Sequence, residues 1–450
     1  MPSEAPESSP TTTPATISLR RHRGIPALTL AKLVSTTGSW ANTVAMPWFV
    51  LTTSGSPAKM SFVFAAQAAG IVVLGLPSSA VISRLGVRRT LLVGDAARVP
   101  LVCLIPLLHH LNLLAFPLLL LVVFVIGGFT ASYVAAQRIA IPQLVGEEPR
   151  LVGRASSLVD GATRVGNLAG PVIAGLLIGV VGVVNVLWLD AATFLVSFVI
   201  VLIRVWPDER ERRPADSAEQ RSGSRWIPSG FRVVAIDPVL RWMGISLLLV
   251  GITYPLLMVV LPVLTTTRYD GDPRVYGALV SASGLGLALG SIVSVVLIGR
   301  WPLSTLGGVA SAGAMAPLWL LLVSLPPLAM GAVFAASGLF IPVFSACLSS
   351  YFLLYTHPEL RPQVMTGVVA TENTAGFVAY AVGGLLIAGI GVQRTLLVIA
   401  LTGTGCSIAL LVAVRRILRR PRETVFADVH KDRAALPHTP TRLGEQPTAR

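Results

Sequence analysis

One apolar stretch carries the clearest information about architecture: residues 166–183 read Gly-Asn-Leu-Ala-Gly-Pro-Val-Ile-Ala-Gly-Leu-Leu-Ile-Gly-Val-Val-Gly-Val. Small residues recur every four positions at its start, and this spacing lets two membrane helices approach closely. Pro171 removes one main-chain hydrogen bond, which predicts a bend. The stretch therefore indicates a bent membrane helix with a glycine face, although a generic packing face has the same spacing.

The end of this stretch recurs later in the chain. Residues 175–183 and 384–392 are identical at six of nine positions, at a constant offset of 209. Coincidence between two low-complexity segments is the alternative explanation. A helix needs about 20 apolar residues to cross a bilayer, and six such spans precede and six follow the polar residues 206–239, the second span covering Ala58–Ile82. The pattern predicts an all-α membrane protein of twelve transmembrane helices in two six-helix bundles.

The predicted organisation has five parts. They are a disordered cytoplasmic N-terminal tail (1–24), a first bundle (25–205), a cytoplasmic linker (206–239), a second bundle (240–414) and a cytoplasmic C-terminal tail (415–450). With the N-terminus inside, most arginines fall on the inner face, and the outer face receives only Lys59, Arg268, Arg274 and Arg394. Because basic residues favour the cytoplasmic side, we expect a multi-pass protein of the inner or plasma membrane.

Composition excludes several other classes of protein. Of the 450 residues, 53% are hydrophobic and 12% are charged, whereas soluble proteins are about a quarter charged. The net charge of +14 therefore indicates basic loops at a membrane surface rather than nucleic-acid binding. None of the three lysines follows a glycine, so an ATP-binding Walker A loop is excluded. The three cysteines lie apart in apolar runs, and we expect no disulfide, metal or cofactor.

The loop after the second span has a tight turn among arginines. Residues 79–90 read Ser-Ala-Val-Ile-Ser-Arg-Leu-Gly-Val-Arg-Arg-Thr. This loop resembles the motif between the second and third spans of the major facilitator superfamily, and the matching or adjacent positions are Arg84, Gly86, Arg88 and Arg89. Positive charge on the inner side explains the arginines equally well.

The loop departs from the family pattern at two positions. Ser79 and Ser83 stand where the family has glycine and aspartate, and that aspartate normally takes part in a cytoplasmic gate. Asp95 in the third span, with Arg98 three residues later on the same helix face, is the candidate replacement. A purely structural ion pair near the membrane surface is the alternative.

The glycine face also carries a resemblance. Its residues Gly166, Gly170, Pro171 and Gly175 match the superfamily's antiporter motif, which accompanies export in that family, with Ala174 in place of one glycine. Segments of residues 25–205, including Gly-Asp-Ala-Ala-Arg at 94–98, are similar to the branch of macrolide-efflux and enterobactin-export proteins. The resemblance implies the major facilitator fold and a central cavity between the bundles.

Charged residues within the spans are candidates for function, since a lone charge at the membrane centre costs about 2.5–3.5 kcal/mol on the insertion scale. A carboxylate in low-dielectric surroundings binds a proton more readily than one in water. We rank the candidate proton carriers Glu372 first and Asp190 second, followed by Asp160 and Asp95. A helix–helix hydrogen bond or an interfacial anchor is the alternative for each. The family's usual arginine at the start of the fourth span is absent, which leaves the coupling mechanism open.

Polar and aromatic residues of the spans are candidates to line a substrate cavity. Arg164 follows Asp160 by one helical turn. Asn373 is the counterpart of Arg164 at the offset of 209, so we expect the two residues at the same membrane depth in the two halves of the chain. The other candidates are Trp40, Asn42 with its neighbour Thr43, Tyr133, Tyr254 and Tyr380. Such residues more often contact lipid or pack in the protein core.

Together these features predict a monomeric secondary transporter that exports an amphipathic small molecule, such as a drug, antibiotic or siderophore, in exchange for protons. An importer of a sugar or metabolite on the same fold is the first alternative. An integral-membrane enzyme is disfavoured, because the sequence offers no paired-carboxylate, His/Cys or Ser/His constellation. A membrane sensor would need a sizeable soluble domain, and the longest polar segments are too short for one.

Overall fold

A computed structural model of the chain describes residues 24–75, 77–146, 148–205, 234, 237–356 and 361–419. The N-terminal tail before Gly24, most of the linker 206–239 and the C-terminal tail from residue 420 onward lie outside the described residues. Apart from one isolated bridge between Ile298 and Trp301, the described residues contain no β-structure. This composition follows from the apolar sequence, because a helix satisfies its own main-chain hydrogen bonds in lipid.

The helices of the first half are α1 (Gly24–Ser54), α2 (Pro57–Gly75), α3 (Ser78–Leu85), α4 (Val87–His110), α5 (Phe116–Val145), α6 (Pro149–Val181) and α7 (Val183–Ile200). Helix α7 continues as a π-helical turn over Val201–Val205. The second half contains α8 (Pro238–Arg268), α9 (Pro273–Leu297), α10 (Leu303–Met315), α11 (Pro327–Tyr355) and α12 (Arg361–Arg419). Helix α10 continues as a 3₁₀ helix over Ala316–Leu322.

Contacts divide the described residues into two compact units. The first unit contains the described residues up to 205 together with 261–284, and the second contains 234, 237–260, 285–356 and 361–419. The bundle boundaries predicted from the sequence, 25–205 and 240–414, stay a prediction.

In the first unit, α1 packs along α6 and α7, α2 packs along α5, and α4 packs against both α5 and α7. Gly70 lies against the Phe124 carbonyl, and Gly127 lies against the Gln67 carbonyl. Glycines on both α2 and α5 thus allow the two backbones to touch. In the second unit, Gly290 of α9 makes the same kind of contact with the Leu339 carbonyl of α11.

The predicted sequence repeat coincides with a shared backbone feature. Gly182, between α6 and α7, has φ 86° and ψ 157°, and Gly391, its counterpart at the offset of 209, has φ 80° and ψ 167°. This region of backbone conformation is essentially restricted to glycine. Gly391 therefore divides α12 into two helical segments, 361–390 and 392–419.

Two details differ from the sequence-based expectation. The second predicted span, Ala58–Ile82, is broken, because α2 ends at Gly75 and α3 begins at Ser78. Pro77 lies at this break, and proline has no N–H for a helical hydrogen bond.

Ten helices among the described residues are long and apolar enough to cross a membrane, and α1 is outside that set. The twelve-helix count therefore stays a prediction.

We expect Gly391→Ala to destabilise the protein by about 1–3 kcal/mol, because alanine cannot adopt this backbone conformation without strain. Gly389→Ala is the matched control two residues away, since a methyl group there would meet no atom within 4 Å. The measurement is the melting temperature of the detergent-purified protein. Equal melting temperatures for the two variants would contradict the assignment of a glycine-dependent break.

Candidate functional site

The arginine-rich turn joins α3 to α4 through Gly86, which has φ 81° and ψ 160°. Arg84 and Arg89 are exposed on either side of it. Arg88 instead reaches across to α7, where its Nη2 donates a hydrogen bond of 3.4 Å to the Leu202 carbonyl in the π-helical turn. The glycine allows the tight reversal, and Arg88 connects the turn to a second helix of the first unit.

Asp95 and Arg98 form a fully buried ion pair on α4. Arg98 Nη2 lies 2.7 Å from Asp95 Oδ1, and Arg98 and Asp95 are 2% and 0% exposed. The other oxygen, Asp95 Oδ2, accepts a hydrogen bond of 2.8 Å from Ser197 of α7. Arg98 Nε donates to the Gly94 carbonyl at 2.9 Å. Both carboxylate oxygens are therefore hydrogen-bonded, and the pair connects α4 to α7.

Two aromatic rings flank the buried guanidinium. Arg98 Cζ lies 4.5 Å from the ring centre of Tyr133 on α5 and 4.4 Å from that of Phe194 on α7. Cations over aromatic faces are stabilised by about 2 kcal/mol or more when they are removed from water. The ammonium of Lys32 on α1 lies 5.9 Å from the same Tyr133 ring. Helices α1, α4, α5 and α7 of the first unit thus contribute to one cluster that contains two cations, Lys32 and Arg98.

Asp190 on α7 is 1% exposed, and neither of its carboxylate oxygens has a hydrogen-bond partner among the residues described. The nearby hydroxyl of Thr193 donates instead to the main-chain carbonyl of Asp190, at 2.7 Å. Gly38 of α1 packs here so closely that a methyl group on it would lie 2.8 Å from Asp190 Oδ1. Asp190 also lies within electrostatic range of Arg98.

The other predicted proton carriers are not buried. The side chains of Glu372 and Asp160 are exposed, as are those of Arg164 and Asn373. Asn373 Nδ2 donates to the Val369 carbonyl of its own helix, at 2.8 Å. The expectation of a buried carboxylate was wrong for Glu372, because depth along a helix does not determine which face of the helix a residue occupies. The role of Glu372 in proton coupling stays a prediction.

The glycine face of α6 makes the close contacts that its spacing predicts. A methyl group on Gly166 would lie 2.8 Å from Thr36, and one on Gly170 would lie 2.6 Å from the Thr37 carbonyl, so α1 covers this face. Gly175, one turn after Pro171, contacts the part of α9 that belongs to the first unit, at Gly277. The antiporter-like residues are therefore packing positions for two neighbouring helices.

A small cavity of the first unit lies between α1, α2 and α5. Its walls include the apolar side chains of Met46, Phe64 and Ile126 and the polar residues Asn42, Thr43 and Gln67. Of the remaining cavity candidates, Tyr133 is buried, and Trp40, Tyr254 and Tyr380 are half-buried. The hydroxyl of Tyr254 lies 3.1 Å from Ser337 Oγ within the second unit.

Sequence reasoning did not identify the partners that α7 and α1 contribute. Phe194 and Ser197 flank the buried ion pair, and Gly38 packs against Asp190. Phe194 and Ser197 follow Asp190 by four and seven residues, so helical periodicity places all three on one face of α7. That periodicity was available in the sequence, whereas the contact with α4 about 100 residues away was not.

We expect Arg98→Gln to destabilise the protein by about 3–5 kcal/mol, because it leaves the Asp95 carboxylate buried without its cation. The double variant Asp95→Asn/Arg98→Gln should recover part of the loss, since no charge then remains unpaired. Melting temperature in detergent is the measurement, and the exposed Arg89→Gln is the control. If Arg98→Gln melts at the same temperature as Arg89→Gln, the ion pair does not stabilise the first unit.

We expect Gly170→Ala to destabilise the contact between α6 and α1 by about 1–3 kcal/mol, the usual cost of overpacking. Gly161→Ala on the same helix is the control, because its added methyl group would meet no atom within 4 Å and alanine is the better helix former. The readout is again the melting temperature. A Gly170→Ala variant as stable as Gly161→Ala would contradict the close approach.

Comparison with known proteins agrees with this architecture. The family model described as Major Facilitator Superfamily matches residues 28–272. The multidrug efflux pump Tap of Mycolicibacterium fortuitum is 28% identical over 373 residues, which are 80% of this chain and 87% of that protein. The enterobactin exporter EntS of Escherichia coli is 28% identical over 325 residues, which are 68% of this chain and 72% of that protein.

Solved structures share the fold at low sequence identity. The nucleoside transporter NupG superposes with a TM-score of 0.70 at 12% identity, covering 88% of this chain and 99% of its own. A bacterial homologue of the human lysosomal transporter Spinster gives a TM-score of 0.67 at 13% identity, covering 88% and 98%. The predicted fold class and family resemblance are confirmed: the chain is a multi-pass membrane transporter that belongs to the Major Facilitator Superfamily.

Proposed function

We propose that this transporter exports an amphipathic small molecule across the plasma membrane in exchange for protons, as a monomer with both termini in the cytoplasm. The observation that carries the proposal is a buried carboxylate without a hydrogen-bond partner among the described residues, Asp190, beside a buried ion pair. The similarity to a multidrug efflux pump and to an enterobactin exporter supports export. The resemblance of the α6 glycine face to the superfamily's antiporter motif also supports it.

Asp190 fits the role of proton carrier better than the other three carboxylates. A proton on Asp190 removes an unpaired charge from a buried site, and such charges are costly. A proton on Asp95 would disrupt the ion pair with Arg98 and alter the hydrogen bond from Ser197. The side chains of Asp160 and Glu372 are exposed rather than buried in the protein. The order of candidates thus changes, and Asp190 comes first.

Protonation of Asp190 would act on the rest of the first unit through Arg98. The guanidinium of Arg98 lies against Phe194, one turn from Asp190 on α7, and is paired with Asp95 on α4. When Asp190 is charged, α7 attracts Arg98 away from Asp95, and when Asp190 is neutral, the pair on α4 is undisturbed. A proton can shift a conformational equilibrium only if its affinity differs between the two conformations.

The connection continues to the arginine-rich turn. Helix α4 begins immediately after Gly86, and Arg88 in its first turn donates to the Leu202 carbonyl of α7. Contacts between α4 and α7 therefore exist both at the buried pair and at the turn. A change in the pairing of Arg98 would therefore alter the arginine-rich turn, which is the predicted gate, through the contacts between α4 and α7.

We expect Asp190→Asn to reduce the efflux of ethidium from energised cells to the level seen with a protonophore, because the amide cannot carry the proton. Asp160→Asn, an exposed carboxylate on α6, is the matched control and should retain efflux, and Glu372→Gln tests the carboxylate ranked first from the sequence. Melting temperatures check that each variant folds. Full pH-gradient-driven efflux by Asp190→Asn would refute Asp190 as the proton carrier.

The direction of transport needs a separate measurement. Inverted membrane vesicles with an acidic interior should accumulate ethidium if the protein exchanges protons for cargo in the export direction. Accumulation in right-side-out vesicles driven by a proton gradient would instead favour an importer and overturn the export proposal. Vesicles from cells without the protein provide the baseline for both orientations.

A further inference from the structure

Lys32 of α1 is a half-buried cation for which the described residues supply no ion-pair partner. Its ammonium lies 5.9 Å from the ring centre of Tyr133. A charged residue within a membrane helix costs free energy, and such residues usually face the bundle interior and pair with other polar groups. The charged groups around Lys32 therefore indicate what role its ammonium has.

The aromatic ring of Tyr133 brings Lys32 close to the buried ion pair of α4. Arg98 Cζ lies 4.5 Å from the same ring centre, so the two cations are separated by no more than the sum of their distances to the ring. Both Asp95 and Arg98 lie within electrostatic range of Lys32. The other charged groups in that range are Arg138 on α5 and Asp160 on α6. These two have opposite charges and exposed side chains, so Asp95 is the buried carboxylate with which Lys32 interacts.

Two buried carboxylates compete for the one buried guanidinium of this cluster. Arg98 is paired with Asp95 and also lies within electrostatic range of Asp190. If Asp190 is charged and attracts Arg98, Asp95 loses its hydrogen-bonded cation. A buried charge that is deprived of its partner is strongly destabilising. That state therefore needs a second cation close to Asp95, and Lys32 is within range of it.

The chemistry of lysine suits a change of partner. Its ammonium is a compact charge on a flexible four-carbon chain, whereas the arginine fork is rigid and forms hydrogen bonds in fixed directions. Lys32 is partly accessible to water, so it can stay charged without a carboxylate while Arg98 holds Asp95. Arg98 is only 2% exposed and has no such hydration. The cluster thus combines one buried cation that is always paired with one cation that is available.

We propose that Lys32 is the alternative counter-ion of Asp95, which compensates this carboxylate when Arg98 turns towards a charged Asp190. Lys32 is in this sense a positioning residue, because it acts on the proton carrier through Asp95 and Arg98. The inference rests on the proposed function for its role in transport. It adds a residue of α1 to the proton-linked change between α4 and α7.

The change of partner predicts that Lys32 matters most for stability when Arg98 is absent. We expect Lys32→Gln alone to change the melting temperature of the detergent-purified protein little, because Asp95 keeps Arg98. In the Arg98→Gln background, the same substitution should lower the melting temperature by several degrees, because Asp95 then has neither cation. Lys32→Arg keeps the charge and should not lower it. Such non-additivity is the measure of coupling between two residues, and equal effects of Lys32→Gln in both backgrounds would overturn the proposal.

Two controls make this result specific. Lys59→Gln is the matched substitution, because the Lys59 ammonium also lies over an aromatic ring, that of Phe116 at 5.7 Å, but the residue is exposed. It should have the same effect in both backgrounds. In the Asp95→Asn/Arg98→Gln background, Lys32→Gln should lose its effect, because no carboxylate at position 95 then needs a cation. An effect that persists there would show that Lys32 acts through another group, such as Asp160, and would contradict the proposal.

Transport gives a second test that does not need the Arg98→Gln variant to fold. In inverted vesicles with an acidic interior, Lys32→Gln should slow ethidium accumulation by about tenfold or more, because the step in which Arg98 leaves Asp95 has a higher barrier. Exchange of labelled for unlabelled ethidium at equal pH does not require that step and should be retained. Lys32→Arg should retain both activities. A loss of both activities in Lys32→Gln would indicate a merely structural residue and would refute the role in coupling.

These results separate Lys32 from the proton carrier. If Asp190→Asn retains proton-driven efflux while Lys32→Gln is still coupled to Arg98 in melting temperature, Asp190 is not the proton carrier and Lys32 is supported as a counter-ion of Asp95. If the effects of Lys32→Gln and Arg98→Gln on melting temperature are additive, Lys32 is not that counter-ion, whatever the result for Asp190.

Discussion

Close approach of helix backbones at glycine is the contact on which the rest of the first unit depends. Lipid chains are as apolar as leucine, so membrane helices associate through tight packing rather than by escaping water. Gly166 and Gly170 bring α6 against α1, and Gly38 brings α1 against α7. Helix α1 is thus fixed between two neighbours. The positions of Lys32 and Asn42 on α1 follow from this arrangement.

Within that packing, the buried charges differ in how well they are compensated. The Asp95–Arg98 pair has hydrogen bonds on both carboxylate oxygens and an aromatic ring on each of two neighbouring helices. Asp190 has no comparable partner among the described residues. A compensated pair of this kind holds helices in one arrangement, since the loss of one member is costly. An uncompensated carboxylate can change its charge without breaking existing hydrogen bonds. This contrast is the basis for proposing a structural role for the Asp95–Arg98 pair and a coupling role for Asp190.

Some of this arrangement could be predicted from the sequence, and the reason is local geometry. The i to i+3 spacing of Asp95 and Arg98 and the four-residue spacing of the α6 glycines are properties of a single helix. The break at Pro77 was also readable, because proline interrupts a helical hydrogen bond. Contacts between distant helices, such as Ser197 with Asp95, depend on rotation of each helix about its axis. Hydropathy in uniformly apolar spans contains little information about that rotation. The burial of Asp190 and the exposure of Glu372 therefore could not be predicted.

Coupling between cargo and proton does not require the two to share a residue. Charges in a partly dehydrated site interact far more strongly than the same charges in water. A cationic cargo bound close to Asp190 would favour the charged form of that carboxylate. A proton on Asp190 removes that favourable interaction, so binding of the proton weakens binding of the cargo. Under the proposed exchange, electrostatics alone would couple the two ligands, with no direct contact between them.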